Sequence, residues 1–408
     1  MLVFEAKLQG TKQQYEKLDE AIRTARFVRN SCIKYWIDNK RIGKYELSAY
    51  CAVLAKEYPW ARKLNSQARQ ASAERAWSSI ARFYDNCKKS QPGKKGFPKF
   101  KKHQTHGSVE YKNTGWKLSE DRRYITFTDG FEAGCFKLWG TRDLHFYQLK
   151  QIKRVRVVRR ADGYYAQFCL DVERVERREP TGKNIGLDVG LTNFYTDSDG
   201  RTVENPRHLR ESEKALRRLS KKLSRTAKGS KNRAKARNCW SRKHLKVSRQ
   251  RQDFAVKLAR CVIQSHDLVA YEDLQVRNMV KNRRLAKSIS DAAWTNFRQW
   301  LEYFGKVFGV VTVAVPPHYT SADCSHCGKP VKKSLSQRTH RCPDCGFILD
   351  RDWNAAINIL EKALRTVGHT GTLALSLVEG NASGDIDLCL GEETPLSKPS
   401  HRKRKPKK

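Results

Sequence analysis

The sequence predicts a multidomain α/β chain: a small β-barrel interrupted by a helical unit, then an α/β layer structure carrying a cysteine ribbon. Three observations predict it. The 408 residues suggest two to four units at roughly 100 to 200 residues per domain. Apolar residues follow a helical period up to about residue 87, a period of two from about residue 107, and an alternation of short apolar strands with amphipathic helices from residue 184 onward. Four of the twelve cysteines fall into two matched pairs.

Residues 3–8, VFEAKL, read as one strand, and Thr11 with Gln14 forms a capping box that opens a helix. Leu18, Ile22, Ala25, Val28, Cys32 and Trp36 follow three or four apart. Further helices fit residues 46–56, with Leu47, Tyr50, Cys51 and Leu54, and residues 66–87, with Ala73, Trp77, Ile80, Ala81 and Tyr84 on one face. KKSQPGKKGFPKFKK then breaks the helix and sets Phe97 and Phe100 among seven lysines, including Lys99 and Lys101. These aromatics suit either stacking on bases or anchoring the barrel. Segments 108–112, 123–128, 135–139, 153–160 and 164–172 alternate, with a hairpin turn expected at Asp162 and Gly163. Ala166, Phe168, Leu170 and Val172 share a face, as a half-buried barrel strand requires. REPTGKN reads as a linker.

The third region opens with NIGLDVGLTNFYTDSDGR, a buried strand, a second strand and a turn at Asp199 and Gly200. Residues 207–251 carry 18 Lys and Arg against 2 acids, yet Leu216, Leu219 and Leu223, and later Phe254, Leu258 and Val262, keep helical spacing. These are helices with a heavily basic face, suited to phosphates or to plain solvation. The apolar run LVAYE at 268–272 follows. A helix from about Asp291 with Trp294, Phe297, Leu301, Phe304 and Phe308, the strand VVTVAV at 310–315 and the helix DRDWNAAINILEKAL complete the layer. Beyond about residue 366 the pattern fails, and residues 367–408 read as a mostly disordered tail ending in HRKRKPKK.

Charge defines the partner. Lys and Arg outnumber Asp and Glu by 82 to 42, a net +40 that points to a polyanion, and nucleic acid fits better than a membrane surface because no amphipathic anchor stands out. With 10% aromatic and 39% apolar residues the chain is no disordered basic tail. No window approaches 18 apolar residues and MLVFEAKLQG is no signal peptide, so a soluble, cytoplasmic protein is expected. Eight isolated cysteines read as reduced thiols, mostly inside apolar patterns.

Cys324, Cys327, Cys342 and Cys345 form C-x2-C-x14-C-x2-C, with Gly328 and Gly346 directly after each pair. A two-residue gap lets both thiolates of a knuckle face one ion, and glycine permits the turn that follows, so one structural zinc ion is expected. Asp188 within IGLDVG and Glu272 ending LVAYE are out of place in apolar strands unless something cationic sits there, and Asp352 starts a helix just after the ribbon. Each also has a structural reading: Asp350 or Asp352 as a helix N-cap, Asp273 as a turn residue, Asp188 as a paired acid. Spacing alone does not bring residues 188, 272 and 352 together.

GLDVG at 186–190, VAYEDL at 269–274, NRRLAKSISDAAW at 282–294, YTSADCSHCG at 319–328, CPDCG at 342–346 and DRDWNAAINI at 350–359 together resemble the TnpB family of transposon-encoded RNA-guided nucleases, related to type V CRISPR nucleases. ARFVRN at 25–30, LNSQ at 64–67 and GFPKFKK at 96–102 extend the resemblance over about residues 1–365. It implies a RuvC-like, RNase H-type nuclease domain at 179–317 and 350–366, a zinc ribbon at 318–349, a wedge-like β-barrel at 1–10 and 97–178 and a helical recognition domain at 11–96, with the tail at 367–408. It further implies a triad of Asp188, Glu272 and Asp352 holding two magnesium ions, with Asp350 and Asp273 as neighbours. The implied partners are a guide RNA and double-stranded target DNA, one protein per RNA. Arg217, Arg218, Lys221, Lys222, Arg225, Lys99 and Lys101 are the expected phosphate contacts. An RNA-guided DNA endonuclease of an insertion sequence is thus expected, with a guided DNA-binding protein lacking cleavage, a transposase, or a non-catalytic RNA-binding protein as alternatives.

Overall fold

A strand laid down first and completed much later organises the N-terminal half. The computed structural model describes residues 2–89, 95–102, 107–140, 144–334 and 337–368. β1 (Leu2–Gln9) leads into α1 (Lys12–Asp38), whose start is the expected capping box: the Thr11 hydroxyl accepts from Gln14 N (3.3 Å) and Gln14 Oε1 accepts from Thr11 N (2.8 Å). α2 (Lys44–Glu57), α3 (Pro59–Arg62) and α4 (Ser66–Lys88) follow, and the helices bury Val28, Cys32, Ile33, Leu47, Leu54 and Ile80 against one another. The chain then forms β2 (Gly107–Tyr111), β3 (Trp116–Leu118), β4 (Tyr124–Phe127), β5 (Gly134–Trp139), β6 (Ile152–Arg160) and β7 (Gly163–Leu170). With β1 they make an antiparallel sheet in the order β2-β6-β7-β1-β5-β4-β3. It curls around one core, so that Tyr111 near one edge meets Phe127 near the other at 5.4 Å between ring centroids.

Three local expectations change here. The three-residue β3 was not foreseen, being too short to show a period. Arg160 pairs with Gly163, which leaves Ala161 and Asp162 as the turn residues and puts Gly163 in the strand. Phe97 does not anchor the sheet; its ring lies 5.5 Å from that of Trp36 and 5.3 Å from that of Phe83, on α1 and α4. The cause is backbone capture: Arg29 donates to the Lys99 carbonyl (3.3 Å) and Asn30 to the Lys101 carbonyl (3.0 Å), drawing the segment along α1. Phe100 stays exposed.

The C-terminal half holds a second sheet. Its elements are β8 (Asn184–Val189), β9 (Asn193–Asp197), β10 (Thr202–Glu204), α5 (His208–Ser224), α6 (Lys231–Ser265), β11 (Leu268–Glu272), α7 (Val276–Met279), α8 (Ala286–Ala292), α9 (Trp294–Phe308) and β12 (Val311–Val315), then the hairpin β13 (Thr339–Arg341) and β14 (Ile348–Asp350), and α10 (Arg351–Gly368). The order is β10-β9-β8-β11-β12; β10, β9 and β8 are antiparallel, and β8, β11 and β12 run parallel. Period-two alternation sends Val269 and Tyr271 to the α6 and α9 side, and Leu268 and Ala270 to the α10 side with Ile359 and Ala363.

The helix expected from about Asp291 is α9 and begins at Trp294; Asp291 itself belongs to the separate α8, from which α9 is divided by Ala293 in the left-handed region (φ 57°). Just before the break, Asp291 caps another helix. It accepts from the backbone N–H groups of Leu209 (2.9 Å) and Arg210 (3.3 Å) at the start of α5, and from Arg251 (2.7 Å) on α6. α10 continues to Gly368, past the expected boundary, and residues 369–408 of the expected tail lie outside the described residues. Of the isolated cysteines, Cys32, Cys51 and Cys169 are buried, but Cys87, Cys135, Cys239 and Cys261 are exposed, so their apolar neighbours did not fix burial; Cys389 lies outside the described residues. No helix among the described residues is long and apolar enough to cross a membrane.

Candidate active site

The parallel pairing of β8 and β11 sets Tyr271 opposite Leu187, so the next residues, Glu272 and Asp188, end neighbouring strands side by side. Gly186 brings the third acid. A Cβ there would lie 2.3 Å from the Ala356 carbonyl oxygen, so only glycine lets α10 rest directly on β8. The start of α10 is pinned twice: Asp350 Oδ1 accepts from the N–H groups of Asp352 (2.9 Å) and Trp353 (3.2 Å), and Trp353 Nε1 donates to the Ser198 carbonyl (3.0 Å). Asp350 is therefore the helix cap, and Asp352 projects from the first turn.

The charges are unbalanced. Desolvation, then the carboxylates of Glu272 and Asp352, push the Asp188 carboxyl well above the usual aspartate range, with Arg351 opposing. Glu272 is raised by burial, partly offset by the Thr320 hydroxyl, which donates to Oε1 at 2.5 Å, and by Lys362. Asp352 accepts from Arg338 (3.1 Å) and Arg351 (3.0 Å), and Arg338 also reaches Thr192 Oγ1 (3.2 Å). The three carboxylates do not gather as closely as the four cysteine sulfurs do. Asp273 faces away, paired with Arg298, which also binds Glu302 (2.8 Å). Beside Glu272 opens a cavity of about 290 Å³ lined by Val189, Leu274, Val276, Trp294, Phe297 and Arg298.

The four sulfurs of Cys324, Cys327, Cys342 and Cys345 lie within 4.8 Å of one another, a group that could hold a metal ion. Cys324 and Cys345 are 3.8 Å apart and Cys327 and Cys342 3.6 Å, close to the roughly 3.8 Å edge of a tetrahedron with metal–sulfur bonds of about 2.3 Å. Both knuckles turn alike, with Gly328 (φ 75°) and Gly346 (φ 70°) donating back to Cys324 and Cys342. Buried asparagines on α10 join this cluster to the acids. Asn354 Nδ2 donates to the Asp323 carbonyl (2.8 Å) while its Oδ1 accepts from Ser325 N (3.0 Å), and Asn358 Nδ2 donates to the carbonyls of Thr320 and Asp323 (both 2.8 Å). Sequence reading missed Thr320, Arg351, Asn354 and Asn358; the signal for the last two was a pair of asparagines four apart on a helix face that is otherwise apolar.

Arg217, Arg218, Lys221, Lys222 and Arg225 are all exposed on α5 or its C-terminal cap, with Arg217 paired to Glu213 (3.0 Å). Lys99 and Lys101 lie on the segment held by α1, attached to the helices rather than to the triad. Further along the basic 207–251 stretch, Arg242, Lys246 and Arg249 join Lys7 and Asp162 in lining a groove of about 420 Å³ between α6 and the β6–β7 turn.

Residues 167–283 match a family described as "Probable transposase", and residues 294–359 match "Cas12f1-like, TNB domain". A Streptomyces pristinaespiralis protein, provisionally named RNA-guided DNA endonuclease, is 29% identical over 371 residues, covering 88% of this chain and 89% of that protein. InsQ of Escherichia coli (strain K12), with the same provisional name, is 29% identical over 322 residues, covering 75% of this chain and 76% of its own. Among solved structures, the protein of a Cas12f1–sgRNA–target DNA complex has the same fold, with a TM-score of 0.53 at 16% identity, over 86% of this chain and 83% of that one. With the motifs in both halves, these matches show that the chain is similar to TnpB-like RNA-guided endonucleases over most of its length.

Proposed function

We propose that the protein is an RNA-guided DNA endonuclease of an insertion sequence, cutting double-stranded target DNA beside a short flanking motif at Asp188, Glu272 and Asp352. The observation that carries this reading is the gathering of acids where β8, β11 and α10 meet: Glu272 and Asp188 end neighbouring strands, α10 brings Asp352, and Asp188 is raised by burial and then by Glu272, Asp352 and Asp350, with Arg351 opposing. Acids held together in this way suit hard divalent cations, which take oxygen ligands. Two magnesium ions held by Asp188, Glu272 and Asp352 would activate water and stabilise the leaving oxygen of a phosphodiester. The chain's own residues prepare the site. Thr320 fixes one oxygen of Glu272, Arg338 and Arg351 orient Asp352, and the ribbon reaches the acids through Asn354 and Asn358. One structural zinc ion at the four cysteines would hold Thr320 and Arg338 where they act.

The β8–β12 sheet with its central acids supports a RuvC-like domain over 179–317 and 350–366, the curled sheet a wedge-like barrel, and α1–α4 a recognition domain. A guide RNA supplies sequence specificity by base pairing, and one protein per RNA follows from one active site per chain. Arg217, Arg218, Lys221, Lys222 and Arg225 contact the backbone of the strands, and Lys99 and Lys101 serve from the other half. The protein acts in the bacterial cytoplasm, where target DNA resides.

The test is co-expression with the DNA flanking the gene, sequencing of the copurifying RNA, and incubation of the complex with matching plasmid and magnesium, with Asp188→Ala as control. A discrete RNA with guided cutting that the variant loses is expected. Target binding without cutting would make the protein a guided DNA-binding regulator, and no discrete RNA would overturn the guided mechanism.

A further inference from the structure

The cavity beside Glu272 runs against the charge of the chain. Its walls carry two acids, Glu272 and Glu302, against one cation, Arg298, in a protein of net charge +40. That cation is already committed: it donates to Glu302 (2.8 Å) and pairs with Asp273, and the Tyr271 hydroxyl donates to the same Glu302 oxygen (3.1 Å). A phosphate finds no free cation there. What the cavity offers is apolar surface, from Val189 at the end of β8, Leu274 and Val276 after β11, and Trp294, Phe297 and Leu301 on α9.

The aromatic wall is fixed from behind. Trp294 and Phe297 lie one turn apart on α9 and are 6% and 2% exposed, and the Phe297 ring meets Phe194 of β9 edge-on at 5.1 Å and lies nearly parallel to Tyr195 at 6.1 Å. The mouth is polar. Thr295 and Gln299, four residues apart and both exposed, line it, and among the described residues neither side chain has a hydrogen-bond partner. Each offers both a donor and an acceptor. At about 290 Å³ the cavity is at the small end for a ligand pocket, with room for one flat ring system and none for a paired one. Its position identifies the ring. Glu272 belongs both to the cavity and to the carboxylate site, so a nucleotide whose phosphate lies at Asp188 and Glu272 carries its base, one sugar away, to the cavity's edge. Only an unpaired base can enter, and the strand displaced by guide pairing is the one whose bases are free.

We propose that this cavity is a nucleobase subsite: it takes one unpaired base next to the scissile phosphate of the displaced strand, against Trp294 and Phe297, with Thr295 and Gln299 meeting the polar edge of the base. The inference rests on the nuclease reading and deepens it, adding a contact to the base where the triad acts on the phosphate. Stacking on an aromatic face accepts any base, and drawing the base aside holds the adjoining phosphate toward the acids. The Gln299 amide matches some base edges better than others, so it sets which base is preferred at the cut.

The test pairs changes in the protein with changes in the DNA. The full chain with its guide RNA cuts a matched duplex, the cut in the displaced strand is mapped, and the bases flanking it are removed one at a time as abasic sites, which spare guide pairing. Removing a base eases duplex opening, so slowing is the diagnostic sign. One abasic position is expected to slow the parent about tenfold, the loss of one base–aromatic contact. Val276→Trp, which fills the cavity, is expected to cut the intact strand about tenfold more slowly and to lose nothing further at that abasic position. Gln299→Ala, a change at an exposed residue, should cut about fivefold more slowly and level the preference among the four bases there. If Val276→Trp melts well below the parent, the abasic series and Gln299→Ala decide alone. A parent that cuts but is indifferent to an abasic site at every flanking position overturns the subsite and leaves the nuclease reading standing. An abasic penalty undiminished in a folded Val276→Trp also overturns it, since the base is then held elsewhere. A parent that cuts no matched duplex fails the nuclease reading itself, and the subsite falls with it.

Discussion

Glu110 and Asp188 are both acids set in apolar strands, one in each sheet, and the chain treats them oppositely. Burial pushes both carboxyls up. At Glu110, hydrogen bonds from Arg154 and Arg156 more than reverse the push, and the carboxyl ends below the usual glutamate range. At Asp188, Glu272 and Asp352 add to it and Arg351 alone opposes. The first acid is finished by the chain's own cations and ties β2 to β6. The second is left electrically incomplete, which is the condition for a site that must recruit something positive. An acid in an apolar strand is thus no signature by itself; what distinguishes the two is the sign of the charge that the fold places around each.

The largest effect expected from this contrast is on cleavage. Asp188→Ala, Glu272→Ala and Asp352→Ala should each slow guided plasmid cutting by at least about 100-fold while guide RNA binding is retained, whereas Glu110→Gln should still cut. Cutting retained by any of the three alanine variants removes that residue from the site. Next comes the ribbon. Cys324→Ser should lower zinc per chain, measured by elemental analysis, and abolish cutting because Thr320 and Arg338 lose their support; unchanged metal content would refute the zinc assignment.

A smaller effect separates the two acids by stability. Glu110, with its lowered carboxyl, contributes stability above the ordinary glutamate pKa that is lost as pH falls through the folded value. Glu110→Gln should therefore cost about 1–3 kcal/mol at neutral pH, a deficit that fades in acid melts. Asp188 has the opposite sign: with its carboxyl raised, its stabilising contribution is complete below the ordinary aspartate pKa and is lost as pH rises toward neutrality. Asp188→Asn should raise the melting temperature at neutral pH without divalent cations, and the gain should shrink toward acid pH. A melting temperature lowered by Asp188→Asn would show Asp188 to be a paired structural acid after all. Least affected should be the chain lacking residues 369–408, which is expected to cut guided plasmid as the full chain does; an inactive truncation would make that segment part of the working structure.

Much of this was legible in the residues. Thr11 and Gln14 announced the first helix, and the two C-x-x-C-G knuckles announced the sulfur cluster, because capping and knuckle turns act within a few residues. Period changes separated helices from strands for the same reason. What failed was local only in appearance: Asp291 looked like the start of the Trp294–Phe308 helix, yet it caps α5 from about eighty residues away, and Phe97 looked like a barrel anchor, yet backbone hydrogen bonds from Arg29 and Asn30 lay it on α1.

The sequence by itself determined which groups the chain has to offer: the acids, the thiolates, the excess of cations and the glycines that permit close approach. Tertiary structure alone decided their company. Parallel register set Glu272 beside Asp188, the missing Cβ of Gly186 let α10 carry Asp352 over β8, and packing left Glu110 neutralised while Asp188 was not. Charge and hydrogen bonding act through space over a few ångströms, and which residues lie that close is set by strand register and helix packing across distances that no local pattern spans.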